Sequence, residues 1–295
     1  MPFHRNFCVN KGKVVNPTNY RLPDFIAVGP QKAGTTWLYE FVKTHPGICT
    51  CTQTKETHFF DERYEKGLHW YISHFECDSS VKSLCEIAPS YFNNKSVPLR
   101  IKRTIPDCKI ICTLRHPVDR TYSLYKHWFK YGRIKSPFRE AVHKHTFLLE
   151  SSCYSLYLCE WIKVFGKENI LIMFFEDFVR DKQAYVTRFC DFVGIETILI
   201  PQELNKKIYA GGEAPRMHCM ISLATLISRW LRDKRLYSII NFVNKSGLRK
   251  LFFKKGFNSY GSMPEDLRDE LRKYFMPEIE SLERLLQIKL PIWKK

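Results

Sequence analysis

The chain has 295 residues, 44% of them apolar and 26% charged, a balance that supports a sizeable globular core and excludes a fibrous or wholly disordered protein. Its formal net charge is +17, which calls for polyanionic ligands: nucleotide phosphates, sulfated products, acidic glycans, nucleic acid or an anionic membrane surface. No nucleic-acid-binding motif accompanies the charge, so a nucleic-acid partner is not expected.

Residues 1–21 are polar and basic and read as a loose arm without an apolar leader core. The remainder, 22–295, reads as a single domain. Residues 25–28 form a short apolar run bounded by Gly29 and Pro30, the pattern of a buried strand. From Thr35 the period changes: Trp37, Leu38, Phe41 and Val42 share one helical face, and the helix stops before Pro46. A strand, a tight turn containing Gly34 and a helix N-terminus together make an anion site, because the first helical amides are unpaired and the dipole is positive there. Lys32 adds a full charge, and Thr35 and Thr36 add hydroxyl donors.

Gly29 and Gly34 have the spacing of the nucleoside-triphosphate P-loop, G-x-x-x-x-G-K-[ST]. Thr35 stands where that motif has lysine, and the later strand, 109–114, runs into Arg115 where a metal-holding Asp is needed. The pattern therefore predicts phosphate binding without a metal. A nucleotide kinase is the alternative from another class, and it would require Mg²⁺.

Further strands are predicted at 48–52, 84–87, 109–114 and 170–175. Helices are predicted at 64–75, 97–104, 117–131, 137–149, 152–165 and 181–193, the last capped by Gly194. Strands alternating with helices predict a three-layer α/β fold: a central parallel sheet with helices on both faces. Residues 205–257 differ. Gly211-Gly212 opens the stretch, Gly256 closes it, Lys and Arg dominate it, and Ile221, Leu223, Leu226, Ile227, Trp230 and Leu231 have amphipathic helical spacing. It reads as a basic helical insertion, either packed on the sheet or covering the acceptor site.

Eleven cysteines are scattered without a C-x-x-C or a four-ligand zinc set. Cys49 and Cys51 would share one face of a strand. Buried, reduced thiols and a cytoplasmic location are the expectation. The longest apolar stretch, 219–231, contains Arg229 and is too short to span a bilayer. Oligomeric state has no signal in the sequence.

The run GPQKAGTTWL resembles the 5′-phosphosulfate loop of the PAPS-dependent sulfotransferases, and further segments follow in that family's order. KETHFFDERYEKGLHWY (55–71) is similar to the segment after the loop in the heparan-sulfate-type and related bacterial enzymes. EIAPSY (86–91) resembles their E-x-[ST]-P-x-Y, LRHPVDRTYSLYKH (114–127) their 3′-phosphate motif, and ILIMFFEDF (170–178) their strand-plus-Glu-Asp signature. PEDLRDELRKYFMPEIESLERLL followed by LPIW resembles their C-terminal end. The resemblance spans about residues 22–200 and 257–295. It implies PAPS as co-substrate, PAP as product and no metal. It implies a 5′-phosphosulfate site at Lys32, Ala33, Gly34, Thr35, Thr36 and Trp37, and a 3′-phosphate site at Arg115 and Ser123. Lys254, Lys255 and Gly256 would form a basic loop closing over the nucleotide. Lys32 would neutralise the leaving phosphate, and Glu56 would be the general base, with His58 the other group in reach. Ile87 and Ala88 stand where the heparan 3-O-type enzymes have Lys and Ser/Thr. That departure, with the cytoplasmic expectation, favours a small metabolite or natural product bearing a hydroxyl or amine, and this is the acceptor expected; the positive charge favours the alternative, an acidic heparan-like glycan.

Overall fold

The computed structural model describes residues 21–78, 80–206, 213–215, 227–228, 230–232, 234, 236–246, 253–255 and 263–294. Gly256 and much of 205–257 lie outside the described residues. In chain order the first half comprises β1 (Phe25–Ala27), α1 (Thr35–Thr44), β2 (Ile48–Thr50), α2 (Phe59–Glu62), α3 (Gly67–Ile72), β3 (Ser83–Ile87), α4 (Val97–Thr104), β4 (Lys109–Leu114) and α5 (Pro117–Lys130). Then come α6 (Phe138–Lys144), α7 (Phe147–Glu150), α8 (Tyr154–Phe165), β5 (Ile170–Phe174), α9 (Phe175–Arg180), α10 (Lys182–Val193) and α11 (Gln202–Lys206). The last elements are β6 (Glu213–Pro215), α12 (Tyr237–Lys245), β7 (Phe253–Lys255) and α13 (Glu265–Leu286).

The strands β1–β5 form one sheet in the order β2-β3-β1-β4-β5, and every pairing is parallel. β1 sits at its centre, with Phe25 opposite Cys85 of β3 on one side and Lys109 of β4 on the other. Strand alternation sends Ile26, Ile110 and Cys112 into one core and Phe25, Ala27 and Ile111 into the other. The first core is closed by α4, α5, α8 and α13 through residues such as Ile101, Leu124, Trp161 and Phe275. The second is closed by α1 and α10 through Trp37, Phe41 and Phe189. The result is the three-layer arrangement expected from the alternation of strand and helix patterns.

Three expectations need correction. The helix anticipated over 137–149 is two helices, α6 and α7, because the chain leaves helical geometry at His145 (φ −118°). The helix anticipated over 64–75 begins as a 3₁₀ turn, Tyr64–Lys66, and is interrupted at Gly67 (φ 79°), a conformation that suits glycine. The segment 205–257 is not purely helical: β6 and β7 form an antiparallel ribbon, with Ala214 opposite Lys254.

The thiol reading also changes. Cys49, in β2, is joined to Cys77 by a disulfide, with the Cα atoms 5.9 Å apart. Cys51 lies beyond the end of the strand and is buried as a free thiol, as are Cys85, Cys108, Cys112 and Cys190. The bridge ties the edge strand of the sheet to the loop after α3, 28 residues on. Replacing both Cys49 and Cys77 by Ser should lower stability by about 3–4 kcal/mol, from the loop-closure entropy returned to the unfolded chain. A urea titration of the oxidised protein against the double variant checks this; equal midpoints would mean that the pair is reduced.

Candidate active site

Two parallel strands, β1 and β4, deliver their following loops to the same edge of the sheet. The Val28 amide donates to Ile111 O at 2.8 Å, so the pairing runs one residue past β1. At Gly29 the chains approach closely: a Cβ there would lie 2.0 Å from Thr113 N and 2.8 Å from Thr113 O, so no side chain fits without moving the strand. The loop then turns through left-handed geometry at Lys32 (φ 75°) and Gly34 (φ 94°). A lysine in that region costs about 1–2 kcal/mol, which the surrounding contacts must offset. Trp37 and Leu38 donate their amides to Gly34 O at 3.0 and 3.2 Å. The amides ahead of them have no carbonyl inside α1 to pair with and carry the positive end of its dipole. Thr35 is buried, Thr36 is exposed, and Ala33 is fully buried, so Ala33 meets a ligand only through its backbone.

Trp37 requires a correction. Its indole stacks on Phe41 with centroids 5.8 Å apart, and its Nε1–H donates to Leu204 O at 3.2 Å. The side chain belongs to the core beneath α1 and buttresses the loop from below.

Arg115 leaves the end of β4. Its guanidinium lies 4.7 Å from the centroid of Phe175, and it donates to Lys32 O at 3.4 Å, joining the two loops. Ser123, about two turns into α5, is partly exposed. The turn carrying Arg115 is clamped from three sides. Tyr154 donates its hydroxyl to Arg115 O at 2.7 Å, the His116 amide donates to Glu176 Oε1 at 2.8 Å, and His116 Nε2 lies 3.2 Å from Trp293 O. Burial lowers the His116 pKa, which favours the neutral ring. Arg120, fully buried, donates through Nε to Gln31 O at 2.9 Å and through its guanidinium to Ser151 and Ser152. It holds the first loop in place and adds fixed positive charge.

The electrostatics have one sign. Burial, followed by the neighbouring cations Arg115, Lys130, Lys55 and Lys126, lowers the Lys32 pKa to about 8. Burial and then Arg115 lower Lys126. Burial, with Lys32, Lys130, Arg133 and Lys55, depresses His127 to about 3. Cations this mutually unfavourable are relieved by a multiply charged anion, and phosphate groups suit the backbone amides of the turn.

Glu56 follows Lys55, one of the cations that act on Lys32; it is half-buried, with its carboxylate 3.5 Å from Lys55 Nζ. His58 is not on an extended segment beside it: φ there is 57°, the residue precedes α2, and Nδ1 lies 3.3 Å from both Asp61 Oδ2 and Ser90 Oγ. Burial opposes charge on His58, but the Asp61 hydrogen bond and the Glu56, Asp61 and Glu62 carboxylates outweigh it and raise the pKa.

Glu86, inside the sequence EIAPSY, was given no role from the sequence, although a carboxylate in an apolar strand is itself a signal. It is fully buried in β3. It accepts from Thr57 N–H at 2.8 Å, Thr57 Oγ1 at 2.7 Å, Tyr71 OH at 3.1 Å and Tyr91 OH at 3.1 Å. Burial raises its pKa, and these donors work in the opposite direction. Thr57 lies between Glu56 and His58, so Glu86 anchors the segment that presents both. Arg120, Glu176, Tyr154 and Trp293 were likewise not singled out, because their partners are remote in sequence.

Lys254 and Lys255 are in β7, paired with β6, and β6 lies against α5, the helix that carries Ser123. Gly256 lies outside the described residues. A cavity of 560 Å³ at the end of α13, lined by Glu280, Glu283, Arg284 and Lys294 among others, contains none of these residues.

The fold and the loop define an α/β protein that binds a phosphate-rich ligand at the C-terminal edge of a parallel sheet. The sequence model described as "Sulfotransferase domain" matches residues 22–210, and the chain belongs to that family. It is similar to human heparan sulfate glucosamine 3-O-sulfotransferase 6, with 31% identity over 191 residues, covering 62% of this chain and 55% of the relative. It is also similar to human bifunctional heparan sulfate N-deacetylase/N-sulfotransferase 2, with 30% identity over 200 residues, covering 61% of this chain and 23% of the relative. The chain thus spans about half the length of the first relative and under a quarter of the second. Among solved structures, a sulfotransferase from Alicyclobacillus acidocaldarius shares the fold, with a TM-score of 0.67 and 22% identity, over 93% of this chain and 100% of that one.

Two outcomes follow from the geometry. Lys32 binds an anion as the ammonium ion, which is present below pH 8 and lost above it, and a bound anion pulls its pKa back up. PAP affinity should therefore fall about tenfold between pH 7 and pH 9, and Lys32→Arg should flatten the profile, since arginine stays protonated. Calorimetric titration across that range checks it. Glu86→Gln turns an amide NH₂ toward hydrogen-bond donors in a buried site and should cost about 1–3 kcal/mol in stability, read by urea denaturation.

Proposed function

We propose that this protein transfers a sulfuryl group from PAPS to a hydroxyl or amine of an acceptor, without a metal. The observation that carries the reading is the convergence of Lys32, Arg115, Lys126 and Lys130 at the edge where β1 and β4 end. PAPS supplies the sulfuryl group and leaves as PAP. Lys32, the amides at Gly34 and Thr35, and the exposed Thr36 hydroxyl hold the 5′-phosphate end. Lys32 also neutralises the charge that develops on the departing phosphate oxygen. Arg115 and Ser123 hold the 3′-phosphate, with the β6–β7 ribbon beside them. Glu56, presented by the Glu86-anchored segment, takes the acceptor proton. His58 steadies that segment through Asp61.

For the acceptor we favour an acidic glycan. Lys55, Lys126 and Lys130 are cations beyond those assigned to the nucleotide, and the similar relatives are named as heparan sulfate enzymes. The Cys49–Cys77 bridge supports an oxidising compartment and weakens the cytoplasmic premise of the small-molecule reading. That second reading keeps one observation in its favour: Ile87 is fully buried in the core beneath α1, so position 87 offers an acceptor no cation.

The test is incubation with PAPS and EDTA against heparan-type oligosaccharides and a panel of hydroxylated and amino metabolites, followed by mass detection of one added sulfo group. Sulfation of the oligosaccharides is expected. Sulfation of metabolites alone would move the acceptor to small molecules, and Mg²⁺-dependent phosphoryl transfer from ATP would replace the reading with a kinase. Glu56→Gln should cut turnover about 10²- to 10⁴-fold with PAP affinity unchanged, and His58→Ala should cost less. The reverse order would make His58 the base.

A further inference from the structure

The apolar surface that the fold leaves uncovered includes an ordered stripe. α12 is fastened to the body through Tyr237, which is buried, with its hydroxyl 2.9 Å from His74 Nε2 and its ring edge-on to the imidazole. His74 Nδ1 lies 2.8 Å from Trp70 O, an acceptor only, so Nδ1 carries the proton and Nε2 accepts from the tyrosine. Ile239, Phe242 and Val243 fall at helical spacing on the face opposite Tyr237, and all three are exposed, Phe242 by 69%. Leu236, just before the helix, continues the stripe and is exposed as well. Ile227 and Trp230, three residues apart, are also exposed, the tryptophan by 56%. An ordinary surface helix turns such a stripe toward the core. Among the described side chains of α12, Tyr237 is buried, and the face with Ile239, Phe242 and Val243 points to solvent.

The stretch of sequence that carries this stripe is equally lopsided in charge. Residues 205–257 contain twelve Lys and Arg against only Glu213 and Asp233, so they supply +10 of the chain's +17. Arg232 and Lys234 are exposed within the apolar stretch. A second copy of this chain covering the stripe would bring two such segments face to face, at a repulsive cost. A sulfated polysaccharide satisfies the cations but leaves the aliphatic stripe in water. A bilayer with anionic headgroups satisfies both: apolar side chains enter the boundary between headgroups and acyl chains, Lys and Arg meet the phosphates, and tryptophan suits that depth.

We propose that the outer face of α12, with Ile227 and Trp230, docks this protein on an anionic membrane surface. The proposal does not depend on the sulfotransfer reading, and its test uses no substrate. The full chain is sedimented with vesicles of phosphatidylcholine alone and of phosphatidylcholine mixed with phosphatidylserine. Binding to the mixed vesicles only, weakening as salt rises, is expected. A Trp230→Ser, Phe242→Ser double variant should partition at least tenfold less well, since each aromatic side chain contributes substantial buried apolar area. Its urea midpoint should match the parent, because neither side chain is in the core. Failure to sediment with the mixed vesicles at low salt overturns the proposal. So does binding that the double variant leaves unchanged, which would be charge attraction alone. A dimer in analytical ultracentrifugation that the double variant dissociates would assign the stripe to a second copy and also overturn it.

Discussion

The parallel pairing of β1 with β4 is the constraint on which the site depends. Parallel neighbours end at the same edge, so the loop after β1 and the arginine after β4 emerge side by side. Their closeness is set by Gly29, where any Cβ would collide with the backbone of Thr113. An antiparallel pairing would send Lys32 and Arg115 to opposite ends of the sheet, and neither alone makes a pocket for a multiply charged ligand. The price is electrostatic: burial first, and then the crowding of cations at one edge, lowers the Lys32 pKa to about 8. Backbone and hydroxyl oxygens hold two of the arginines there. Gln31 O, Ser151 and Ser152 receive Arg120, and Lys32 O receives Arg115. The positive potential is thereby kept for a ligand.

The segment that carries Glu56 is organised by a second carboxyl group, one that is buried and fully engaged. Glu86 reaches across from β3 to Thr57, Tyr71 and Tyr91, and these bonds fix the short segment that carries Glu56 and His58. Glu56 itself is half-buried, and among the described residues its carboxylate meets Lys55 Nζ at 3.5 Å, a loose pairing. Two glutamates near each other thus have different duties, set by burial and by the number of donors each meets. Stability and chemistry are coupled here, because the residues that position the segment also fill the core around Phe59 and Phe60.

The segment that follows α11 is attached to this frame at few described points: the ribbon of β6 and β7 lies by α5, and Tyr237 meets His74. The His74 contact falls just before the loop held by the Cys49–Cys77 bridge. The disulfide therefore steadies the shelf on which α12 rests, and through it the orientation of the exposed stripe.

Much of this was legible without coordinates, and the boundary has a physical basis. The period switch at Thr35, the apolar strand 109–114 and the capping Gly194 are local signals, set by residues within one turn or one strand of each other, and the structure has them at those positions. The places of Lys32 and Thr35 at the turn into α1, of Arg115 at the end of β4 and of Ser123 in α5 were legible for the same reason, since each is tied to the end of a strand or the turn of a helix. What the sequence alone could not rank were contacts between residues far apart along the chain. Arg120 and Glu86 sat unassigned inside motifs because their partners, Gln31 and Thr57, are 89 and 29 residues away. Trp37 was placed at the ligand by its neighbours in sequence, whereas the tertiary structure turns its indole to Leu204, 167 residues on. The pairing of Cys49 with Cys77 was equally a matter of where two loops meet. Local sequence determined the elements and the glycine-containing turn after β1 by itself; the packing of the sheet decided which charges converge there, which carboxylate is buried and which stays partly exposed, because burial and proximity are properties of the folded chain.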